Sequence, residues 1–210
     1  MSEAGVVARE PWPDAKRERA GLEFAMWVFL ATEVLFFGAL FCTYAVNRWA
    51  HPHDVALAGR HAAFWYGLAN TIVLTLSGLS MAIADRAREE QLVRTATACL
   101  WITFGLGVTF LLVKGFEYRK DLDDGLWPGS HFALAGAGAR PFWSFYWVAT
   151  FIHAVHLTVG LGLILRLILI AHAGRLGARG PSMAISTLYW EFVDLVWLFL
   201  FALIYLVGRS

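Results

Sequence analysis

Two carboxylates stand inside apolar runs where an ionisable group is out of place. Glu33 lies in FAMWVFLATEVLFFGALFCTYAV and Asp194 in ISTLYWEFVDLVWLFLFALIYLV. A charged side chain at the centre of such a run costs roughly 2.5–3.5 kcal/mol on insertion scales, so it persists only where a partner or a function compensates. Three further groups share this chemistry. His153 and His156, spaced i, i+3, fall on one side of a helix. Lys114, Glu117 and Tyr118 close another apolar run, with Lys114 and Glu117 also at i, i+3. Glu191 stands one turn before Asp194, so that pair needs a cation or a shared proton, and Arg166 and His172 are its candidate partners.

The possible chemistries differ in what they demand. A histidine beside a carboxylate can pass a proton near neutral pH. It can equally be a hydrogen bond that joins two helices. Two histidines one turn apart, with no HExxH pattern, are a weak metal signal. Bis-histidine haem ligation needs a second in-membrane histidine on another run, and none is present. For Glu33 the alternatives are a carboxyl hydrogen-bonded to Thr, Ser or a backbone carbonyl, or a proton-responsive or lipid-contacting site. Lys114 and Glu117 are expected to pair while reaching to the membrane interface. No Gly-rich phosphate loop, Ser/His/Asp arrangement or Cys cluster is readable, so no catalytic residue and no metal site is assigned. Cys42 and Cys99 read as packing residues.

These groups are carried by a chain of 210 residues that is 59% hydrophobic and only 16% charged. A soluble domain sits nearer 45–50% apolar. The composition therefore argues for an all-α integral membrane protein, a bundle of five transmembrane helices. The spans are expected near 22–46, 66–84, 97–116, 142–170 and 186–207, within a single domain at 22–208, behind a polar N-terminal tail at 1–21. Pro11 and Pro13 keep that tail from being helical before about Asp14. The tail does not read as a cleaved signal, since the apolar run behind it is too long. Asn70, Thr71, Thr75, Ser77 and Ser80 in the second span can bond across to neighbouring helices. The connection at 119–141, with Asp121, Asp123 and Asp124, is expected to be a surface loop.

Depth along the helices pairs two of the groups. His156 lies roughly 21 Å in from residue 142 and Asp194 roughly 12 Å in from residue 186, at ~1.5 Å per residue. In antiparallel neighbours those depths are similar, so a His–Asp contact between the fourth and fifth spans is expected. Lys and Arg counts set the orientation. Ten fall on the side of the N-terminus and seven on the other, which predicts a cytoplasmic N-terminus and an outer C-terminus. The net charge of +1 suggests no nucleic-acid partner. No internal repeat is evident, which counts against an inverted-repeat transporter.

Four segments together resemble a known family: WVFLATEVLFFGALFCTYAV at 27–46, GVTFLLVKGFEY at 107–118, FYWVATFIHAVHLTVGLGLIL at 145–165 and YWEFVDLVWLFLFALIYLVG at 189–208. Their order and spacing are similar to subunit III of the haem–copper oxidases, the cytochrome c and quinol oxidase family, in its short five-helix form. The resemblance matches Glu33, His153, His156, Glu117 and Asp194 to the family's in-membrane glutamate, paired histidines, Glu-Tyr and Phe-Val-Asp. It departs at Glu191, where the family has His, and at Lys114, where it often has Gln. It implies a non-catalytic subunit of a respiratory terminal oxidase in a bacterial cytoplasmic membrane. Haem and copper would reside in the partner subunit I, phospholipid would bind this chain, and its tasks would be complex stability, lipid binding and proton uptake. Two other functions remain open on the sequence: an accessory subunit of a nitric oxide reductase, and an independent proton-coupled small transporter.

Overall fold

The structure is a computed structural model and describes residues 15–130, 132–174 and 182–209. Most of the tail expected at 1–21, the side chains counted at Arg175 and Arg179, and part of the fourth connection lie outside the described residues. Among the described residues there are helices and no strands. Helix α1 spans Ala15–Ala50, α2 Pro52–Arg60, α3 Phe64–Glu89, α4 Val93–Asp123, α5 Ala139–His172 and α6 Ser182–Phe201; the chain then passes through a π-helical turn, Ala202–Leu206, and a 3-10 turn, Val207–Arg209. Five segments are long and apolar enough to cross a membrane: Ala20–Ala50, Phe64–Glu89, Val93–Asp123, Ala139–His172 and Met183–Leu206. The expected all-α membrane bundle of five spans is what forms.

Each span is apolar on most of its circumference, as a helix between lipid and neighbouring helices requires. The helices outlast the apolar runs at several ends. Helix α4 continues through Asp123, so the connection expected at 119–141 shrinks to 124–138. Pro141 falls in the first turn of α5, where a missing N–H costs no helical bond. Gly125 (φ 70°) stops α4, with Leu126 N–H bonded back to Asp121 O at 2.9 Å. The short helix α2 was not expected. Pro52 sits at its first turn, and it packs on the C-terminal turn of the chain, where Gly59 and Gly208 meet closely.

The connection at 124–138 is not a free loop. Gly138 N–H donates to Asp54 Oδ2 at 3.0 Å, Asn47 Nδ2 to Gly138 O at 3.1 Å, and Trp147 Nε1 to Leu126 O at 3.2 Å. It is strapped to α1, α2 and α5, and α2 lies over the same end of the bundle.

Helices α3 and α4 form a close antiparallel pair. Ser80 Oγ donates to Cys99 O at 3.0 Å, and Ser77 Oγ reaches Thr103 O at 3.4 Å. Helix α6 packs against α3 and α5, and α1 lies along α5 and α6. Two indoles of α6 reach the small hydroxyls of α3: Trp190 Nε1 donates to Ser77 Oγ and Trp197 Nε1 to Thr71 Oγ1, each at 3.1 Å. Of the second span's polar residues, Thr71, Ser77 and Ser80 join helices as their type suggests, whereas Thr75 bonds Thr71 O within α3 and the buried Asn70 amide has no hydrogen-bond partner.

Candidate functional site

Three polar centres lie within the bundle. The first joins α1 to α5: His156 Nε2 stands 3.1 Å from Glu33 Oε2, with both side chains less than a fifth exposed. The ring's orientation follows from its other nitrogen, Nδ1, which is 2.9 Å from Ile152 O. A carbonyl only accepts, so Nδ1 carries the proton and Nε2 is left facing the carboxyl. The angle falls short of a hydrogen bond, so Oε2 retains free acceptor capacity. The aromatic wall around the pair includes Phe37, 5.5 Å from the imidazole, and Tyr189, whose hydroxyl donates to His156 O.

The second centre is buried at the α4–α5–α6 end that also carries α2. Lys114 and Glu117 pair at 3.0 Å, as their spacing predicts, but neither reaches the interface: their side chains are 3% and 0% exposed. Lys114 Nζ also donates to Tyr205 Oη at 2.8 Å and to Tyr146 Oη at 3.2 Å. Tyr205 Oη donates to Glu117 Oε1 at 2.6 Å. Tyr146 Oη donates to Asp121 Oδ2 and also lies 3.2 Å from Glu117 Oε1. Four rings surround the ammonium, with Tyr146's centroid at 4.6 Å. Tyr118, expected beside the pair, is one of these rings, its centroid 5.2 Å from Nζ, and its hydroxyl bonds Thr150 at 2.7 Å. Asp121, expected in a surface loop, is 1% exposed. The centre holds one ammonium against two carboxylates, and hydroxyls supply the remaining donors.

Local geometry explains Tyr205. The π-helical turn at Ala202–Leu206 widens the helix by one residue and redirects the side chains beyond it. Gly67 on α3 leaves room for the ring: a β-carbon there would come within 2.8 Å of Tyr205 Cγ. Gly67→Ala is expected to push Tyr205 off Lys114 and Glu117 and to cost about 1–3 kcal/mol by overpacking. A thermal unfolding midpoint in mild detergent would check this, and an unshifted midpoint would mean that the ring moves freely.

The third centre is the Glu191/Asp194 pair, and here the expected contact does not form. Asp194 packs on α3, where a β-carbon at Gly78 would collide with its Oδ2. His153 points elsewhere: it is 1% exposed, lies edge-on to Phe110 (5.6 Å) and tilted against Trp197 (5.3 Å), and neither ring nitrogen has a hydrogen bond. The candidate partners fail as well. His172 bonds Ile168 O through Nδ1, and Arg166 is exposed.

The structure therefore joins Glu33 to His156 and Lys114 to Glu117, leaves His153 alone, and keeps Glu191 with Asp194. Sequence reading missed Tyr146, Tyr205 and Asp121. Asp121 carried a signal, because Lys114, Glu117 and Asp121 recur at i, i+3, i+7 on one helical face. The tyrosines carried none, since their partners are on other helices.

The pattern for cytochrome c oxidase subunit III matches residues 14–209. Cytochrome c oxidase subunit 3 of Thermostichus vulcanus is 30% identical over 87% of this chain and 85% of its own length. The protein of the same name from Alkalihalophilus pseudofirmus is 28% identical over 98% of both chains. The cytochrome bo(3) ubiquinol oxidase subunit 3 of Buchnera aphidicola is 25% identical over 88% of this chain and 93% of its own.

Proposed function

The chain belongs to the cytochrome c oxidase subunit III family, a multi-pass membrane subunit of a respiratory oxidase complex, and from that premise we propose that it does no redox chemistry itself but steadies the complex, binds phospholipid and supports proton uptake. Haem and copper lie in the partner, subunit I, in this reading. The chain sits in a bacterial cytoplasmic membrane as one domain from about residue 22, N-terminus inside and C-terminus outside.

The observation that carries the proton role is the Glu33–His156 pair. It brings an imidazole nitrogen and a carboxyl oxygen from two helices to 3.1 Å, and Oε2 keeps capacity for a further donor. Such a pair can take up and release a proton without moving the backbone. The lipid role is supported by an open apolar groove of about 860 Å³ between α1 and α6. Phe41, Phe199 and Leu203 form its wall, and Arg48 and Trp49 stand at its end. An acyl chain fits the wall, and a phosphate suits a guanidinium at headgroup level. The Lys114 centre serves stability.

The test is the reduced-minus-oxidised spectrum of the complex that co-purifies with the tagged chain. A CO-sensitive oxidase signal is expected. A b- and c-type signal without oxygen consumption would transfer the chain to a nitric oxide reductase. Within the oxidase, Glu33→Gln is expected to remain assembled yet to slow proton uptake a few-fold, read by a pH dye during turnover. Loss of assembly in this variant would make Glu33 structural and remove the proton role.

A further inference from the structure

Glu191 and Asp194 remain unexplained by any contact within the chain. Measured from Met183, at ~1.5 Å per residue, they lie about 12 and about 17 Å along a span that crosses a ~30 Å core. Glu191 is exposed on the outer face of α6, and Asp194 is half-buried beside it. Asp194 Oδ1 is a buried acceptor with no donor. Both line a cleft of about 260 Å³ between α3 and α6, walled by Leu79, Leu195 and Leu198 and floored by Thr71 and Gly78. Residue 78 is glycine, and the Asp194 carboxyl occupies the place of a side chain on α3. Among the described residues no cation forms an ion pair with either carboxylate.

Three occupants compete for this face. Lipid tails supply no donor, and headgroups lie at the edges of the core, beyond the reach of two short carboxylates at these depths. A second copy of this chain on a two-fold axis would bring the same acids face to face, and like charges in apolar surroundings repel. A transmembrane helix of another subunit, bearing Arg, Lys or a donating His at this level, satisfies both carboxylates and covers the exposed leucines at once. We propose that the α3–α6 cleft is the docking face for such a helix from a neighbouring oxidase subunit, whose basic side chain enters between Glu191 and Asp194. The inference rests on the chain's place in an oxidase complex.

The complex is purified from native membranes with a benzophenone amino acid in place of Leu198, which is 46% exposed at the cleft, or of Leu112, which is 60% exposed on α4. Co-purification of haem protein with the unaltered chain is read first, so a failure of the subunit reading is seen separately. On irradiation, the Leu198 probe is expected to join this chain to another oxidase subunit, and the Leu112 probe is not. The isosteric pair Glu191→Gln and Asp194→Asn is expected to lower that adduct at least five-fold and to release the chain several-fold faster on washing with detergent. Adducts to lipid alone, adducts between two copies of this chain, or an adduct yield unaffected by the two substitutions would each overturn the proposal.

Discussion

Replacing Lys114 by Met is expected to cost the bundle about 3–5 kcal/mol, the range for removing one partner of a buried ion pair. The ammonium is 3.0 Å from Glu117 and donates to two tyrosine hydroxyls. Methionine fills much of the volume, so the loss is electrostatic and not a cavity. Glu117 and Asp121, 0% and 1% exposed, would remain as two buried acids with only hydroxyl donors. Tyr146 and Tyr205 would also lose the donor that orients their oxygens, so the joint between α4, α5 and α6 should loosen. Adding Glu117→Gln to Lys114→Met should recover part of the loss, because it removes one of the stranded charges. Lys114→Gln, which keeps a donor, should cost less than Lys114→Met. Unfolding of the detergent-solubilised chain by SDS titration would rank the variants. Equal stability of Lys114→Met and the unaltered chain would show that the cluster contributes nothing net.

Span number was legible because ~20 apolar residues are both necessary and sufficient to cross a bilayer. Span ends were less so, and α4 shows why. Lys114, Glu117, Arg119, Lys120 and Asp121 look like the exit from a membrane, yet three of the five turn inward onto tyrosines that the sequence places tens of residues away. Helix α2 was hidden by its polar start, Pro-His-Asp, and by its brevity.

The candidate residues divide along the same line. Depth follows from counting, at ~1.5 Å per residue, and it correctly put Glu33, His156 and Asp194 well inside the spans. Direction follows from ~100° per residue together with the positions of the neighbours, which one sequence does not give. Two residues at i, i+3 differ by about 60° around the helix. In α5 that is enough to aim His156 at α1 and His153 at the rings of α4 and α6. In α6, offsets of about 100° and about 120° separate Glu191 from Trp190 and Trp197, which face inward. The expected His–Asp pair failed in direction, not in depth.

Trp190 is where direction matters most, and Trp190→Ala is expected to cost about 3–5 kcal/mol, as for other fully buried aromatic truncations. The indole is 0% exposed and lies against α3, α4 and α5. Its Nε1 bonds Ser77 of α3 at 3.1 Å. Its ring edge lies where a β-carbon on Gly107 of α4 would come within 2.9 Å of Cη2, and one on Gly160 of α5 within 2.8 Å of Cε3. Two glycines on two helices thus leave space for one side chain from a third. Lipid is as apolar as the ring, so burial from water is not what holds it. Close packing and the one hydrogen bond are. A cavity there removes contacts to three helices together, and the helices cannot all close on it. Trp65→Ala is the comparison: that ring is 74% exposed, and its loss should shift the unfolding midpoint little. Gly160→Val approaches the same joint from the other side, by overpacking, and should cost about 1–3 kcal/mol. If Trp190→Ala unfolds no more readily than Trp65→Ala, the bundle is held by the Lys114 centre and the α3–α4 hydroxyl bonds instead, and the Trp190 joint is dispensable.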